Sequence, residues 1–269
     1  MESLPLSLTL FDAHAHYNDR RFEEEFDGGG RGALLKAHAE GVALFCNVGS
    51  SVKTSEESVA LAEEFDFVVA AVGIHPSDAQ EIPAAECDRA LARIEELCAN
   101  ERVRAVGEIG YDYHWEPVDK ERQTYFFEAQ LEIARRVNLP VVIHSRDAAG
   151  DTFDVICRHP ENRGVLHSYS GHAEGARQYN RMGWYVSFSG PVTYKNANKV
   201  KEAAAAVRDD LLLIETDCPY LPPVPHRGEI NYSGYLPHTC AAVAELRGIS
   251  PEECAALTMA NARRFFGLD

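Results

Sequence analysis

The chain has 269 residues, of which 45% are hydrophobic and 25% charged, and its formal net charge is −16. This length is sufficient for one domain with a large buried core. The acidic balance disfavours tight nonspecific binding to long duplex DNA or to anionic membranes, which requires clustered lysines and arginines. It does not exclude a phosphate-bearing substrate at a local site that contains divalent cations.

The sequence also limits the compartment and the partners. No apolar run approaches the roughly 18 residues that a membrane helix needs, and the N-terminus lacks the basic region of a signal peptide. The seven cysteines are scattered without a C-x-x-C pair, a pattern typical of reduced thiols in a reducing compartment. We therefore expect no membrane association and a cytoplasmic location (or a nuclear one in a eukaryote), and the sequence indicates no particular protein partner.

Short β-branched, apolar segments alternate with longer amphipathic ones. We predict eight strands, at Leu8–His14, Val42–Val48, Val68–Ile74, Val103–Ile109, Pro140–His144, Gly164–His167, Trp184–Phe188 and Leu211–Thr216. Such continuous apolar runs are typical of parallel strands that are buried on both faces. The intervening segments predict helices, most clearly Lys120–Asn138, and Asn138 and Gly183 each mark the end of a helix.

Repeated strand–helix units predict a parallel sheet with right-handed crossovers, and eight of them predict a closed TIM (β/α)8 barrel of the α/β class. No repeat, low-complexity tract or linker marks a boundary, so we expect a single domain over residues 1–269. The alternative is an open doubly wound sheet. It is weakened because no glycine-rich nucleotide fingerprint follows the first strand.

Side chains that bind metals recur where the predicted strands end. Six candidate ligands follow five of the strands, namely His14, His16, Glu108, His144, His167 and Asp217. In a barrel these ends meet at one mouth, where the chemistry takes place. Each residue alone has an ordinary explanation, such as a core histidine or a salt-bridged carboxylate. All six together favour a metal site, because unpaired carboxylates after apolar runs are costly.

Nine short segments occur in a specific order: Asp12–His16, Gly73–Pro76, Gly107–Tyr113, His144–Ala148, His167–Gly171, Ser189–Asn196, Glu215–Leu221, Pro225–Gly228 and Asn261–Leu268. Through them the sequence resembles the TatD-like deoxyribonuclease family of metal-dependent hydrolases, over almost the whole chain. The resemblance implies a TIM barrel that hydrolyses phosphodiesters. We expect a 3′–5′ exodeoxyribonuclease that acts on single-stranded DNA with two divalent ions, Mg²⁺, Mn²⁺ or Zn²⁺.

The resemblance also implies roles for individual residues. One ion is held by His14, His16, Glu108 and Asp217, and Glu108 bridges to a second ion held by His144 and His167. His75 lies beside the substrate phosphate, where it donates to a phosphate or leaving-group oxygen, or else only shapes the loop. Asp217 is the candidate general base, since it can accept a proton from the attacking water.

Four further residues are candidate substrate contacts. Arg146 and Arg227 are expected to clamp phosphate, Lys195 to contact a phosphate, and Tyr113 to stack on a base. Three of them have a structural alternative, which is an ion pair with Asp147 for Arg146, a solvated loop for Lys195 and loop packing for Tyr113.

The sequence departs from the family pattern in two places. Ala13, Ala15 and Tyr17 surround the first histidines, where the family usually has Thr, Cys and Leu. The segment 231–235 replaces the usual Asn-Glu-Pro-x-Tyr, and we expect this loop to shape the substrate cleft. The departures leave open a barrel metallohydrolase that acts on a small phosphoester, amide or aminoacyl ester. A non-catalytic scaffold is disfavoured, because all six candidate ligands are present.

Overall fold

The structure, a computed structural model, describes residues 8–268. These residues pack as two compact units, one formed by residues 8–46 with 168–268 and the other by residues 47–167. Each unit contains strands that end in predicted ligands, so each is described separately below.

The described residues contain all eight predicted strands, with ends that differ from the prediction by at most three residues. They are β1 (Leu10–Ala15), β2 (Val42–Val48), β3 (Val68–Val72), β4 (Val103–Asp112), β5 (Val141–Arg146), β6 (Gly164–Leu166), β7 (Tyr185–Phe188) and β8 (Leu212–Ile214). They form one sheet in chain order, β1 to β8. Every residue of β3, β6 and β8 is buried, as expected for parallel strands covered on both faces.

Hydrogen bonds also join the end of the first strand to the segment that follows the last strand. The backbone N–H of His16 donates to the carbonyl of Cys218 at 2.8 Å, and that of Asp217 donates to the carbonyl of His14 at 2.9 Å. A parallel bridge pairs Ala15 with Cys218. Sheet order and closure together give the predicted (β/α)8 barrel and exclude the open doubly wound sheet.

Helices alternate with the strands. They are α1 (Phe22–Glu25), α2 (Gly29–Ala39), α3 (Val52–Glu64), α4 (Pro76–Glu81), α5 (Cys87–Leu97), α6 (Lys120–Val137), α7 (Ala149–Arg158), α8 (Ala173–Arg181), α9 (Asn198–Ala206), α10 (Leu236–Arg247) and α11 (Pro251–Phe266), with short 3₁₀ helices at Ala84–Glu86, Gly190–Thr193, Asp209–Leu211 and Ser233–Tyr235. Within residues 8–268, none of the helices has both the length and the apolar character needed to cross a membrane.

Local sequence determines where the predicted helices begin and end. The Asp119 side chain accepts from the backbone N–H of Arg122 at 2.9 Å and so caps the start of α6. Asn138 adopts the left-handed conformation (φ 57°) directly after this helix, as predicted. Gly183 does the same after α8 (φ 80°), and the backbone N–H of Trp184 bonds back to the carbonyl of Tyr179 at 3.0 Å, as in a Schellman motif.

Two glycines allow a matched test of whether a left-handed residue is needed where α8 ends. A Cβ atom at Gly183 or at Gly150 would meet no atom within 4 Å, but only Gly183 has a positive φ. Gly183→Ala should lower the free energy of unfolding by about 1 kcal/mol, because a left-handed conformation disfavours a Cβ atom. Gly150→Ala, inside α7, should leave it unchanged or raise it by up to about 1 kcal/mol. Urea denaturation measures both, and equal changes would contradict this explanation.

Candidate metal centre

The first cluster of predicted ligands lies in the unit that contains β1 and β8. His14 and His16 are on the same face of the chain, since side chains alternate along a strand, and their Nε2 atoms are 3.0 Å apart. The hydrogen bonds between β1 and β8 bring Asp217 beside them. Its Oδ1 atom is 3.7 Å from Nε2 of His14 and 3.4 Å from Nε2 of His16. Three of the six predicted ligands therefore form one cluster.

A buried carboxylate that was not predicted as functional lies next to this cluster. Oδ2 of Asp12 accepts hydrogen bonds from the hydroxyls of Thr216 and Ser233, both at 2.5 Å, and Oδ1 accepts from the Thr216 backbone N–H at 2.9 Å. Burial raises the pKa of Asp12 to about 6, although these hydrogen bonds favour the charged form. Asp12 thereby connects the strand that carries His14 to the segment that carries Asp217.

The two departures from the family pattern contact each other. The Tyr17 hydroxyl donates to Oγ of Ser233 at 2.6 Å, and Ser233 in turn donates to Asp12. Ser233 is buried, so at this position the loop of residues 231–235 packs inward beside β1. Its expected part in shaping a substrate cleft stays a prediction.

The second cluster lies in the unit formed by residues 47–167. Oε1 of Glu108 is 2.7 Å from Nδ1 of His144 and 2.7 Å from Nε2 of His167, and these two nitrogens are 3.2 Å apart. The register between β4 and β5 shifts between Gly107 and Ile109. Glu108 is therefore the extra residue of a bulge, a feature that often redirects a side chain next to an active site.

Asp112 orients one of these histidines, a role that the sequence analysis missed. Its Oδ2 atom is 3.0 Å from Nε2 of His144, so His144 donates its Nε2 proton to Asp112 and directs Nδ1 toward Glu108. Carboxylate–histidine pairs of this kind fix the tautomer of metal ligands. Burial opposes protonation of His144, but the hydrogen bonds with Asp112 and Glu108 outweigh it and raise the pKa of His144. This position thus favours positive charge.

His75 belongs to the same cluster. Its Nε2 atom is 3.7 Å from Oε1 of Glu108, and its ring centroid is 4.4 Å from that of His144. Nδ1 accepts from the backbone N–H of Ser77 at 3.2 Å, which leaves the ring proton on Nε2. Burial, with a smaller contribution from His144, lowers the pKa of His75 to about 3. At neutral pH His75 is therefore a neutral hydrogen-bond donor.

The distances within the clusters fit divalent cations. With a Zn–N bond of about 2.0–2.1 Å, two nitrogens on one ion lie about 2.9 Å apart at 90° and about 3.4 Å apart at the tetrahedral angle. The nitrogen pairs of His14 with His16, at 3.0 Å, and of His144 with His167, at 3.2 Å, fall in this range. Each cluster also offers a carboxylate oxygen. This mixed donor set is suited to Zn²⁺ or Mn²⁺ and, through its oxygens, to Mg²⁺.

Arg146, one of the four predicted substrate contacts, is exposed in the structure. Arg146 ends β5, and its guanidinium lies 5.4 Å from the ring centroid of Trp115. Asp147 pairs with His114 at 3.1 Å rather than with Arg146. The ion pair that was the structural alternative for Arg146 is therefore not formed.

The other three predicted contacts lie in loops. The Arg227 guanidinium is 4.2 Å from the ring centroid of Tyr194, and Lys195 is exposed next to that tyrosine. The Tyr113 hydroxyl donates to Asp151 at 2.9 Å, which agrees with the loop-packing alternative. Contact between these residues and a substrate stays a prediction.

Alternation along the strands contained a signal for one of the two missed carboxylates. Asp12 is two residues before His14 on β1, so the two share a face. Asp112 stands on the same strand as Glu108 beyond the bulge, and its partner His144 lies on the neighbouring strand β5. A search for acidic residues that share a strand face with a predicted ligand would have identified Asp12.

Comparisons with known proteins agree with this geometry. The model of the family described as TatD related DNase matches residues 11–267. YabD of Bacillus subtilis (strain 168), named as an uncharacterized metal-dependent hydrolase, is 41% identical over 97% of this chain and 100% of its own. YcfH of Escherichia coli (strain K12), named in the same way, is 36% identical over 97% of this chain and 96% of its own.

A solved structure shows the same architecture. The crystal structure of YJJV, a TatD homologue from Escherichia coli K12, matches with a TM-score of 0.88 and 27% identity, and covers 97% of this chain and 98% of that one. This likeness confirms the barrel fold along nearly the whole chain. The chain belongs to the TatD-related family of metal-dependent hydrolases.

Proposed function

We propose that the protein is a divalent-metal-dependent phosphodiester hydrolase that shortens single-stranded DNA as a 3′–5′ exonuclease. The observation that carries this proposal is the pair of buried clusters, each with two imidazole nitrogens and a carboxylate oxygen at distances that suit one ion. Membership of a family described as TatD related DNases supports the choice of substrate.

The proposal includes a single centre with two ions, in which Glu108 serves both. The candidate ligands lie in the last residues of β1, β4 and β5 or shortly after β1, β6 and β8, and the carboxyl ends of such strands meet at one mouth in a (β/α)8 barrel. In this arrangement His14, His16 and Asp217 would hold one ion, His144 and His167 would hold the other, and Glu108 would contribute its carboxylate to both.

Two divalent ions would neutralise the phosphate and lower the pKa of a water molecule at the site. The Asp217 carboxylate lies beside both histidines of the first cluster, so it would also lie beside a water molecule held there. Asp217 would accept the proton of this water as it attacks. His75 donates its Nε2 proton in a hydrogen bond to a phosphate oxygen. With a pKa of about 3, it does not supply a proton to the leaving oxygen at neutral pH.

The alternative is a metallohydrolase that uses the same ligands on a small phosphoester, amide or aminoacyl ester. Many two-metal barrels that cleave amides bridge their ions with a modified lysine on the fourth strand, whereas β4 carries Glu108 and no lysine. The exposed side chains of Arg146, Lys195 and Arg227 suit an extended polyanion. Both observations favour DNA over the alternative substrates.

The proposed activity is tested with single-stranded oligodeoxynucleotides labelled at the 3′ or the 5′ end. The metal-free protein is incubated with them, with and without added Mg²⁺, Mn²⁺ or Zn²⁺. We expect stepwise, chelator-sensitive shortening in which the 3′ label is lost first. Shortening that starts at the 5′ end would overturn the proposed 3′–5′ polarity. If a metal-loaded protein did not shorten the oligonucleotides, the proposal that single-stranded DNA is the substrate would be overturned.

Removal of Glu108 should abolish hydrolysis. Glu108→Ala takes away the carboxylate between His144 and His167, so we expect activity to fall by more than the roughly 10–100-fold that loss of an outer partner costs. Glu174→Ala is the control, since this exposed residue pairs with Arg177 and Arg181 on the surface, and it should retain full activity. Full activity in Glu108→Ala would contradict the proposed centre.

Removal of Asp112 should weaken metal binding without removing a ligand. Asp112→Ala frees Nε2 of His144, so we expect the affinity for Mn²⁺ or Zn²⁺, measured by isothermal titration calorimetry, to fall about 10–100-fold. Asp151→Ala is the matched control, because this carboxylate pairs with Lys120 at 2.7 Å and contacts no predicted ligand. Equal affinities in the two variants would show that Asp112 does not orient a metal ligand.

A further inference from the structure

An exposed aromatic side chain lies beside the first cluster. Tyr220 is 43% exposed and its neighbour Leu221 is 37% exposed. The Tyr220 ring meets the ring of His16 edge-on, with centroids 6.1 Å apart, and its backbone N–H donates to the carbonyl of Asp217 at 2.9 Å. Exposed apolar surface therefore directly adjoins two proposed metal ligands.

The Tyr220 ring is held in place by two charged residues. Its hydroxyl donates to Oδ2 of Asp19 at 3.0 Å, and the Arg21 guanidinium lies 3.8 Å from its ring centroid. The Arg21 guanidinium in turn donates two hydrogen bonds to Asp19, at 3.1 and 2.8 Å. Burial and the nearby Asp19 raise the pKa of Tyr220 to about 12, so the phenol stays neutral. A ring fixed in this way loses little conformational freedom when it binds a ligand.

The exposed residue Leu221 has a strained backbone conformation. Its φ is 50°, a left-handed conformation that is unfavourable for a residue with a Cβ atom. The surroundings enforce it, since the Asn231 side chain donates to the carbonyl of Tyr220 at 2.6 Å. The Leu221 carbonyl also packs so closely on Gly190 that a Cβ atom there would lie 2.0 Å from it. Strain that is maintained beside an active site is a sign of function.

We propose that Arg21, Tyr220 and Leu221 form a subsite that stacks on the nucleobase next to the scissile phosphate. The inference rests on the proposed function and specifies its substrate class. Aromatic rings and arginine planes stack on unpaired bases with little regard to sequence, and Leu221 adds apolar contact. The subsite selects substrates with an unstacked base, hence single strands, over small phosphoesters, amides or esters that lack one.

Dinucleotides that differ by one base test the subsite. We would measure kcat and KM for thymidylyl-thymidine and for the two analogues in which one or the other nucleotide is abasic. The wild type should prefer the full substrate to one of the abasic analogues by roughly tenfold, which is typical of a base–aromatic stack. Tyr220→Phe keeps the ring and should keep this ratio, whereas Tyr220→Leu should bring it close to one, mainly through KM.

Tyr125→Leu is the matched control, because Tyr125 is 44% exposed on α6 and should leave the ratio unchanged. If Tyr220→Leu slows all three substrates equally, Tyr220 only anchors its loop and the inference is wrong, while the proposed function stands. If the metal-loaded wild type cleaves none of the dinucleotides and no oligonucleotide, the proposed function fails and the inference falls with it.

Discussion

A negatively charged carboxylate inside an apolar barrel needs a positively charged partner. Glu108 illustrates this requirement, because it is a carboxylate in the barrel interior. Only 4% of Glu108 is exposed, and an isolated charge in such a place is costly. A bulge in β4 places its oxygen 2.7 Å from nitrogens of two histidines. Asp112 then adds a second carboxylate on the far side of His144. Two carboxylates among three imidazoles favour bound positive charge, which divalent cations supply.

The same principle operates at the junction of β1 and β8. Backbone hydrogen bonds between these strands set Asp217 beside His14 and His16, and Asp12 ties the strands together through Thr216 and Ser233. Here the polar groups satisfy one another, so a buried carboxylate is tolerated as a connector. Asp112 contacts the ring of a candidate ligand, His144, in the way that outer partners orient metal ligands, whereas Asp12 holds together the segments that carry His14 and Asp217.

Much of the fold was predictable because parallel barrel strands are apolar along their whole length and the helices between them end at recognisable residues such as Asn138 and Gly183. The six candidate ligands were recognisable in the sequence because they interrupt these apolar runs, and the structure gathers them in two clusters; their binding of metal stays a prediction. Contacts between segments that are distant in the sequence were not predictable. The hydrogen bond between Tyr17 and Ser233 links residues 216 positions apart. The orientation of Tyr220 likewise depends on Asp19, 201 positions away.

Substrate recognition depends on features that neither composition nor spacing reveals. The net charge of −16 disfavours tight nonspecific binding to long duplex DNA. Three exposed arginines nevertheless each lie against an aromatic ring, namely Arg21 on Tyr220, Arg146 on Trp115 and Arg227 on Tyr194. Local pairs of this kind can bind a flexible single strand through stacking and charge together. An acidic surface elsewhere would then limit nonspecific binding to duplex DNA.

The most direct test of the metal centre is anomalous X-ray scattering from crystals soaked in Mn²⁺. We predict two anomalous peaks per chain, one within bonding distance of His14, His16 and Asp217 and the other within bonding distance of His144 and His167, with Glu108 contacting both ions. Crystals of active protein that show no peak at either cluster would contradict the proposal that these residues form the catalytic metal centre.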